Sequence, residues 1–90
     1  MMFLVAAANR DERRYPDPDR FDIHRTIGLQ MTFGVGVHYC LGAALARLEG
    51  RVAMEEILKR FPRWDVDWDT AKLAQTSTVR GWESLRLIIT

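Results

Sequence analysis

The sequence predicts an α+β chain: one long helix follows a glycine-flanked cysteine loop, and short antiparallel strands follow the helix. Three observations carry this. Leu41, Leu45, Leu48 and Val52 recur at helical spacing with Ala44 beside them, which sets them on one stripe of a helix. Apolar and charged residues alternate through Arg63-Trp64-Asp65-Val66-Asp67-Trp68-Asp69, the period of a half-exposed strand. Ser84-Leu85-Arg86-Leu87-Ile88-Ile89 reads as a final strand, antiparallel to the Trp64 strand.

Taken in order, Phe3 to Val5 is a short apolar run that reads as one buried strand, and Ala6 to Asp11 continues with helix formers. The apolar start, Met1 to Ala8, lacks a basic leading segment and runs into Asn9-Arg10-Asp11-Glu12. It reads as a strand entering a short helix and not as a signal peptide. Tyr15-Pro16-Asp17-Pro18-Asp19-Arg20-Phe21-Asp22-Ile23 holds two of the three prolines. Residues before proline avoid the helical region, so this is an extended, turn-rich loop. His24 to Met31 has no period and reads as loop, with His24 a surface or capping residue.

The helix is expected from Leu41 to Arg60, about 30 Å long at ~1.5 Å per residue. Glu55-Glu56 interrupt its apolar stripe while Ala53, Met54, Ile57 and Leu58 fall on other sides, so burial on more than one face is expected. Lys59-Arg60 sit at the negative end of the helix dipole, and Pro62 ends the helix. Ala71 to Val79 is ambiguous, and Arg80-Gly81-Trp82-Glu83 reads as a turn.

Ninety residues make at most one small domain. A chain this size buries only ~60–65% of its unfolded surface and has a thin core. A formal net charge of +1 argues against nucleic-acid binding driven by bulk charge. Eleven of the thirteen basic residues are Arg, which favours pairing with carboxylates. One cysteine excludes an internal disulfide framework and fits a reducing, cytoplasmic compartment. No apolar run approaches ~18 residues, so no transmembrane helix is expected.

The chemistry concentrates in Phe33-Gly34-Val35-Gly36-Val37-His38-Tyr39-Cys40-Leu41-Gly42-Ala43-Ala44-Leu45-Ala46-Arg47, which holds the only cysteine and three of the six glycines. Cys40 is placed at a loop–helix junction, where the helix N-terminus favours negative charge. The glycines permit positive φ and close approach of the backbone to a flat or bulky group. Gly42, read as one turn into the helix, costs roughly 1 kcal/mol against Ala, which points to a packing reason such as a ligand against the helix start. One thiolate presented by a loop suits a soft metal. Three other readings are weaker. Zinc bound by His24, His38, Cys40 and an acid lacks paired ligand spacing. A Cys40–His38 nucleophile pair has no local protease signature. Gly34-x-Gly36-x-x-Tyr39 lacks the third glycine of a phosphate loop.

This stretch resembles the haem-binding signature of cytochrome P-450, the haem-thiolate monooxygenases: Phe-Gly-x-Gly-x-His-x-Cys-Leu-Gly-x-x-Leu-Ala-Arg in its bacterial form. All ten fixed positions match, and each would match by chance at about 5–10% or less. Ala8-Asn9-Arg10-Asp11 and Tyr15 to Asp22 also resemble family segments, with Tyr15 where Phe is commoner. The resemblance implies that residues 1–90 are the C-terminal haem-binding portion of a mainly α domain. The Glu-x-x-Arg helix and the central-helix Ala/Gly-Gly-x-Asp/Glu-Thr segment are not in this sequence. Glu83-Ser84-Leu85-Arg86 has the first spacing, but it follows the cysteine and lies in an expected strand.

The resemblance further implies haem b as cofactor, with Cys40 as axial thiolate and His38 hydrogen-bonded to a propionate. Phe33 would pack beside the sulfur, and Gly34, Gly36, Gly42 and Ala46 would lie close to the porphyrin. Arg20 would be the arginine that locks the proline-rich loop against the Glu-x-x-Arg helix. The implied partners are a small organic substrate, a ferredoxin or flavoprotein electron donor, and the rest of the cytochrome P-450 domain, with no nucleic acid and no membrane. Arg47 and Arg51 read either as partners of propionates or Glu55, or as a basic docking face for an acidic ferredoxin. The alternative to a monooxygenase segment is a non-catalytic remnant that binds haem weakly or binds only a partner protein.

Overall fold

The computed structural model describes residues 1–90. Its elements are a four-residue helix α1 (Val5–Ala8), a 3-10 turn (Gly36–His38), the long helix α2 (Ala43–Arg60), strand β1 (Trp64–Val66), a second 3-10 turn (Trp68–Thr70), and strands β2 (Lys72–Leu73), β3 (Trp82–Ser84) and β4 (Leu87–Ile89). Two compact units divide the chain, Met1–Arg47 and Leu48–Thr90.

The first unit is mostly loop, organised by polar side chains. The strand expected at Phe3 to Val5 is absent: α1 begins at Val5, and all four strands lie after α2. A strand needs a hydrogen-bonded neighbour, and this run has none within the chain. Asn9 follows α1 and ties two distant pieces of backbone. Its Oδ1 accepts the Met31 N–H at 2.7 Å and its Nδ2 donates to Thr32 Oγ1 at 3.0 Å. The proline-rich loop closes on Arg25, whose guanidinium donates to the carbonyls of Pro16, of Asp17 at 2.7 Å and of Arg20 at 3.1 Å. Asp17 sits at φ +49° inside that turn. The Tyr15 hydroxyl donates to the Leu29 carbonyl, and Arg10 pairs with Asp19 at 3.1 Å. His24 donates its backbone N–H to Asp22 Oδ1 at 2.9 Å, an Asx turn.

Helix α2 starts two residues later than expected. The Ala46 N–H reaches the Gly42 carbonyl at 2.9 Å, so Gly42 accepts the first intrahelical bond and stands at the N-cap. It lies ahead of the helix, not one turn into it, and the helix-interior cost of glycine does not apply there. The helix ends at Arg60, as expected before Pro62, with Lys59 bonded to Glu56 at 2.8 Å on its last turn.

In the second unit β1 and β4 pair antiparallel with Trp64 opposite Ile89 and Val66 opposite Leu87, the pairing expected from the sequence. The expected turn at Arg80–Glu83 and the unbroken strand from Ser84 are both replaced. Trp82–Ser84 forms β3 and pairs with β2 across a bulge, and Leu85–Arg86 separate it from β4. An edge-to-face contact between Trp68 and Trp82, with ring centroids 5.8 Å apart, a favourable aromatic geometry, accompanies this pairing. The turn is made instead around Thr76, whose Oγ1 accepts the N–H groups of Thr78 and Val79.

Candidate functional site

The Cys40 loop lies wholly in the first unit. Phe33 enters it, and the backbone reverses through Gly34 at φ +72° and Gly36 at φ +66°, conformations in which a Cβ is strained. The 3-10 turn Gly36–His38 follows, closed by the Tyr39 N–H on the Gly36 carbonyl at 3.1 Å. The Cys40 N–H then returns to the Phe33 carbonyl at 2.8 Å, and the Cys40 carbonyl accepts the Ala43 N–H at 3.2 Å. These bonds join the loop to the first turn of α2, so the thiol sits at the junction that the sequence indicated.

Cys40 is free and exposed. Val37 and Leu41 around it are almost fully exposed, at 97% and 103%. A Cβ placed on Gly42 would touch Cys40 Sγ at 3.9 Å, whereas one on Gly36 would meet nothing within 4 Å. Gly42 thus leaves one flank of the sulfur clear, a space that an alanine methyl would fill. No three His, Cys, Asp or Glu side chains gather where they could hold a metal ion. The donor set is therefore a single thiol on an open, apolar-flanked loop, which fits a metal that arrives already held in a flat macrocycle.

The structure brings Phe33, Gly34, Gly36, His38, Cys40, Gly42 and Ala46 onto this loop and the helix start. His38 ends the 3-10 turn and is exposed. Ala46 is exposed one turn into α2. Ala43 is the one fully buried residue, at 1% exposure. Arg51 lies 4.0 Å from Glu55, the pairing anticipated from their spacing. Arg47 turns back onto the loop. Its guanidinium carbon stands 4.7 Å from the Phe33 ring centroid and its Nη1 donates to the Tyr39 hydroxyl at 2.9 Å.

Sequence reasoning missed Asn9 and Arg25 as organisers of the first unit. Asn9 had only its membership in a family-like segment as a signal, and Arg25, in a run without period, bonds backbone carbonyls that every residue type carries. Arg13 donates to both Asp11 oxygens, and that side-chain bonding, aided by the Arg13 backbone N–H, holds the Asp11 carboxyl below its ordinary range. A shallow cleft of about 140 Å³ lined by Asn9, Tyr15, Pro18, Arg25, Ile27 and Gln30 shares no residue with the cysteine loop. No helix is long and apolar enough to cross a membrane.

Known proteins place this geometry in a family. The family model for cytochrome P-450 matches residues 1–82. Erythromycin C-12 hydroxylase of Saccharopolyspora erythraea is 58% identical over 71 residues, which are 77% of this chain and 18% of that protein. Cyclomarin C epoxidase CymV of Salinispora arenicola is 47% identical over 81 residues, 90% of this chain and 20% of that protein. The solved structure of PksS, a cytochrome P-450 of the Bacillus subtilis bacillaene polyketide synthase, superposes with a TM-score of 0.89 at 38% identity and covers 96% of this chain and 23% of that one. The chain spans about a fifth of the length of these curated relatives. Over its own length it carries the fold of that solved structure, with one long helix and short antiparallel strands, and it belongs to the cytochrome P-450 family.

Proposed function

We propose that residues 1–90 are the C-terminal haem-binding portion of a cytochrome P-450 monooxygenase, with Cys40 as the axial thiolate. The observation that carries this reading is the exposed Cys40 thiol at the loop–helix junction, with one flank kept clear by Gly42. When bound, haem b would supply activation of O₂ and insertion of one oxygen atom into a small organic substrate, with electrons from a ferredoxin or flavoprotein and ultimately from NAD(P)H.

This chain's residues serve that chemistry by holding and tuning the group. Cys40 would hold the metal through its thiolate, a soft and strongly donating ligand. The Cys40 N–H bond to the Phe33 carbonyl and the Ala43 N–H bond to the Cys40 carbonyl fix the backbone that presents the sulfur. Phe33 would pack beside the sulfur. Gly34 and Gly36 let the loop turn without side chains that would hold it off a flat ring, and Gly42 and Ala46 keep the helix start small. Exposed His38 is placed to hydrogen-bond a propionate. The direct test is the ferrous–carbon monoxide spectrum of the haem-loaded chain assembled with the upstream portion of the domain. A red-shifted thiolate band supports the reading, and a loaded assembly without it overturns the reading.

Two further outcomes are expected. A hydrogen bond to a charged carboxylate is worth roughly 1.5–3 kcal/mol, so His38→Ala weakens haem retention by about tenfold or more while the thiolate band persists. Titration of haem into the variant checks this, and unchanged affinity would reduce His38 to a loop residue. The second outcome concerns electron delivery. The 4.0 Å approach of exposed Arg51 to Glu55 is a weak surface pair, which leaves Arg51 free to meet an acidic ferredoxin. Reduction by such a donor slows as salt rises, and Arg51→Glu slows it at low salt. A reduction rate that is flat in ionic strength removes the docking face.

A further inference from the structure

The Cys40 loop has a weak point that its own backbone does not cover. Between Phe33 and Cys40 it runs through two glycines at positive φ, the most permissive backbone available. A single backbone bond, from Cys40 N–H to the Phe33 carbonyl at 2.8 Å, closes its base. We propose that Arg47 is the positioning residue for the Cys40 thiol, a planar tie across the two limbs of the loop.

The geometry is specific. The Arg47 guanidinium carbon lies 4.7 Å from the centroid of the Phe33 ring, on the entering limb. Its Nη1 donates to the Tyr39 hydroxyl at 2.9 Å, on the leaving limb, next to Cys40 in the chain. The same nitrogen approaches the carbonyl of buried Ala43 at 3.5 Å, at the start of α2. No carboxylate lies within ion-pair distance of Arg47; the basic residues that make such pairs are Arg10, Arg13, Arg51 and Lys59. The cation is therefore committed to a ring and a hydroxyl. A guanidinium meets a ring with its face and donates through its edge at once, whereas an ammonium is a point charge with no plane to share between the two. Through this one side chain the rigid helix sets where both limbs stand, and so where Sγ projects.

The test uses the full chain assembled with the upstream portion of the domain. Amide hydrogen exchange is read by mass spectrometry over residues 33–41, with residues 48–58 of the helix as internal reference. Loss of one cation–π contact and one hydrogen bond in Arg47→Ala speeds exchange over 33–41 about tenfold and leaves the reference unchanged. Tyr39→Phe gives an intermediate rise, and Arg47→Lys, which keeps the charge but not the plane, recovers little. Unchanged exchange over 33–41 in Arg47→Ala, or full recovery by Arg47→Lys, overturns the proposal. Should Arg47→Ala also speed exchange in the reference helix, Tyr39→Phe decides, because it removes only a hydroxyl: a local rise supports the tie and no rise overturns it. A second readout rests on Cys40 being the haem ligand. In the haem-loaded assembly, Arg47→Ala moves part of the ferrous–carbon monoxide absorption from the red-shifted band to shorter wavelength, and an unchanged band overturns the claim that the tie reaches the thiol. If Cys40→Ser kept the red-shifted band, the ligand assignment would fail while the haem-free exchange still judged Arg47.

Discussion

Replacing Cys40 by Ser abolishes the red-shifted ferrous–carbon monoxide band of the haem-loaded protein. The substitution changes one atom, sulfur to oxygen, at an exposed position, so the loop bonds that use the Cys40 backbone remain available. What is lost is the soft, strongly donating ligand. No second cysteine lies in residues 1–90, and no cluster of three metal-ligating side chains stands there. The expected variant still takes up some haem through apolar contact but absorbs at shorter wavelength, as iron without thiolate does. The measurement is a reduced, carbon monoxide-difference spectrum of both proteins at matched haem content. A Cys40→Ser protein that kept the red-shifted band would sink the assignment of the ligand.

The second large effect concerns residues 1–90 taken alone, which are expected to be marginally stable, to hold haem poorly and to hydroxylate nothing. A folded monomer of 10.4 kDa exposes about 5,400 Å² by the usual scaling with mass, whereas this chain exposes 8503 Å². Ala43 is its only fully buried apolar residue, and Leu45, Leu48, Val52, Met54 and Leu58 of α2 all remain 46–58% exposed. An apolar surface of that extent favours association, and so little burial leaves only a thin margin over the cost of ordering the backbone. The check is a thermal melt and a ferrous–carbon monoxide spectrum of the isolated chain, repeated with the upstream portion of a related enzyme supplied in trans. Rescue of a cooperative melt, of haem binding and of turnover only in trans is the expected result. A cooperative melt, full haem occupancy and turnover by the chain alone would overturn it. A negative result here leaves the ligand assignment standing, because Cys40→Ser is read in the loaded assembly.

Much of the site was legible because its signals are local. Positive φ at Gly34 and Gly36 follows from placing residues without a Cβ where the backbone must reverse. The end of α2 at Arg60 follows from Pro62. Alternation through Trp64–Val66 and the apolar run Leu87–Ile89 located the two strands that pair. Reasoning failed where the deciding partner was distant or missing. Phe3 to Val5 has the composition of a strand but no neighbour in this chain to pair with. The Arg80–Glu83 segment has the composition of a turn, but Trp82 pairs with Leu73, nine positions earlier.

The sequence by itself determined the location of the thiol, the loop that carries it, the helix behind it and the family, because each depends on residue types at fixed short spacing. Only the tertiary structure decided which side chains hold the loops of the first unit in place. Asn9 reaches Met31 and Thr32, Arg25 gathers three carbonyls, and Arg47 spans Phe33 and Tyr39. Those contacts join residues 5 to 23 positions apart, several through backbone carbonyls that every residue type carries. Spacing alone cannot select among such partners; the chain path that brings them within hydrogen-bond reach does.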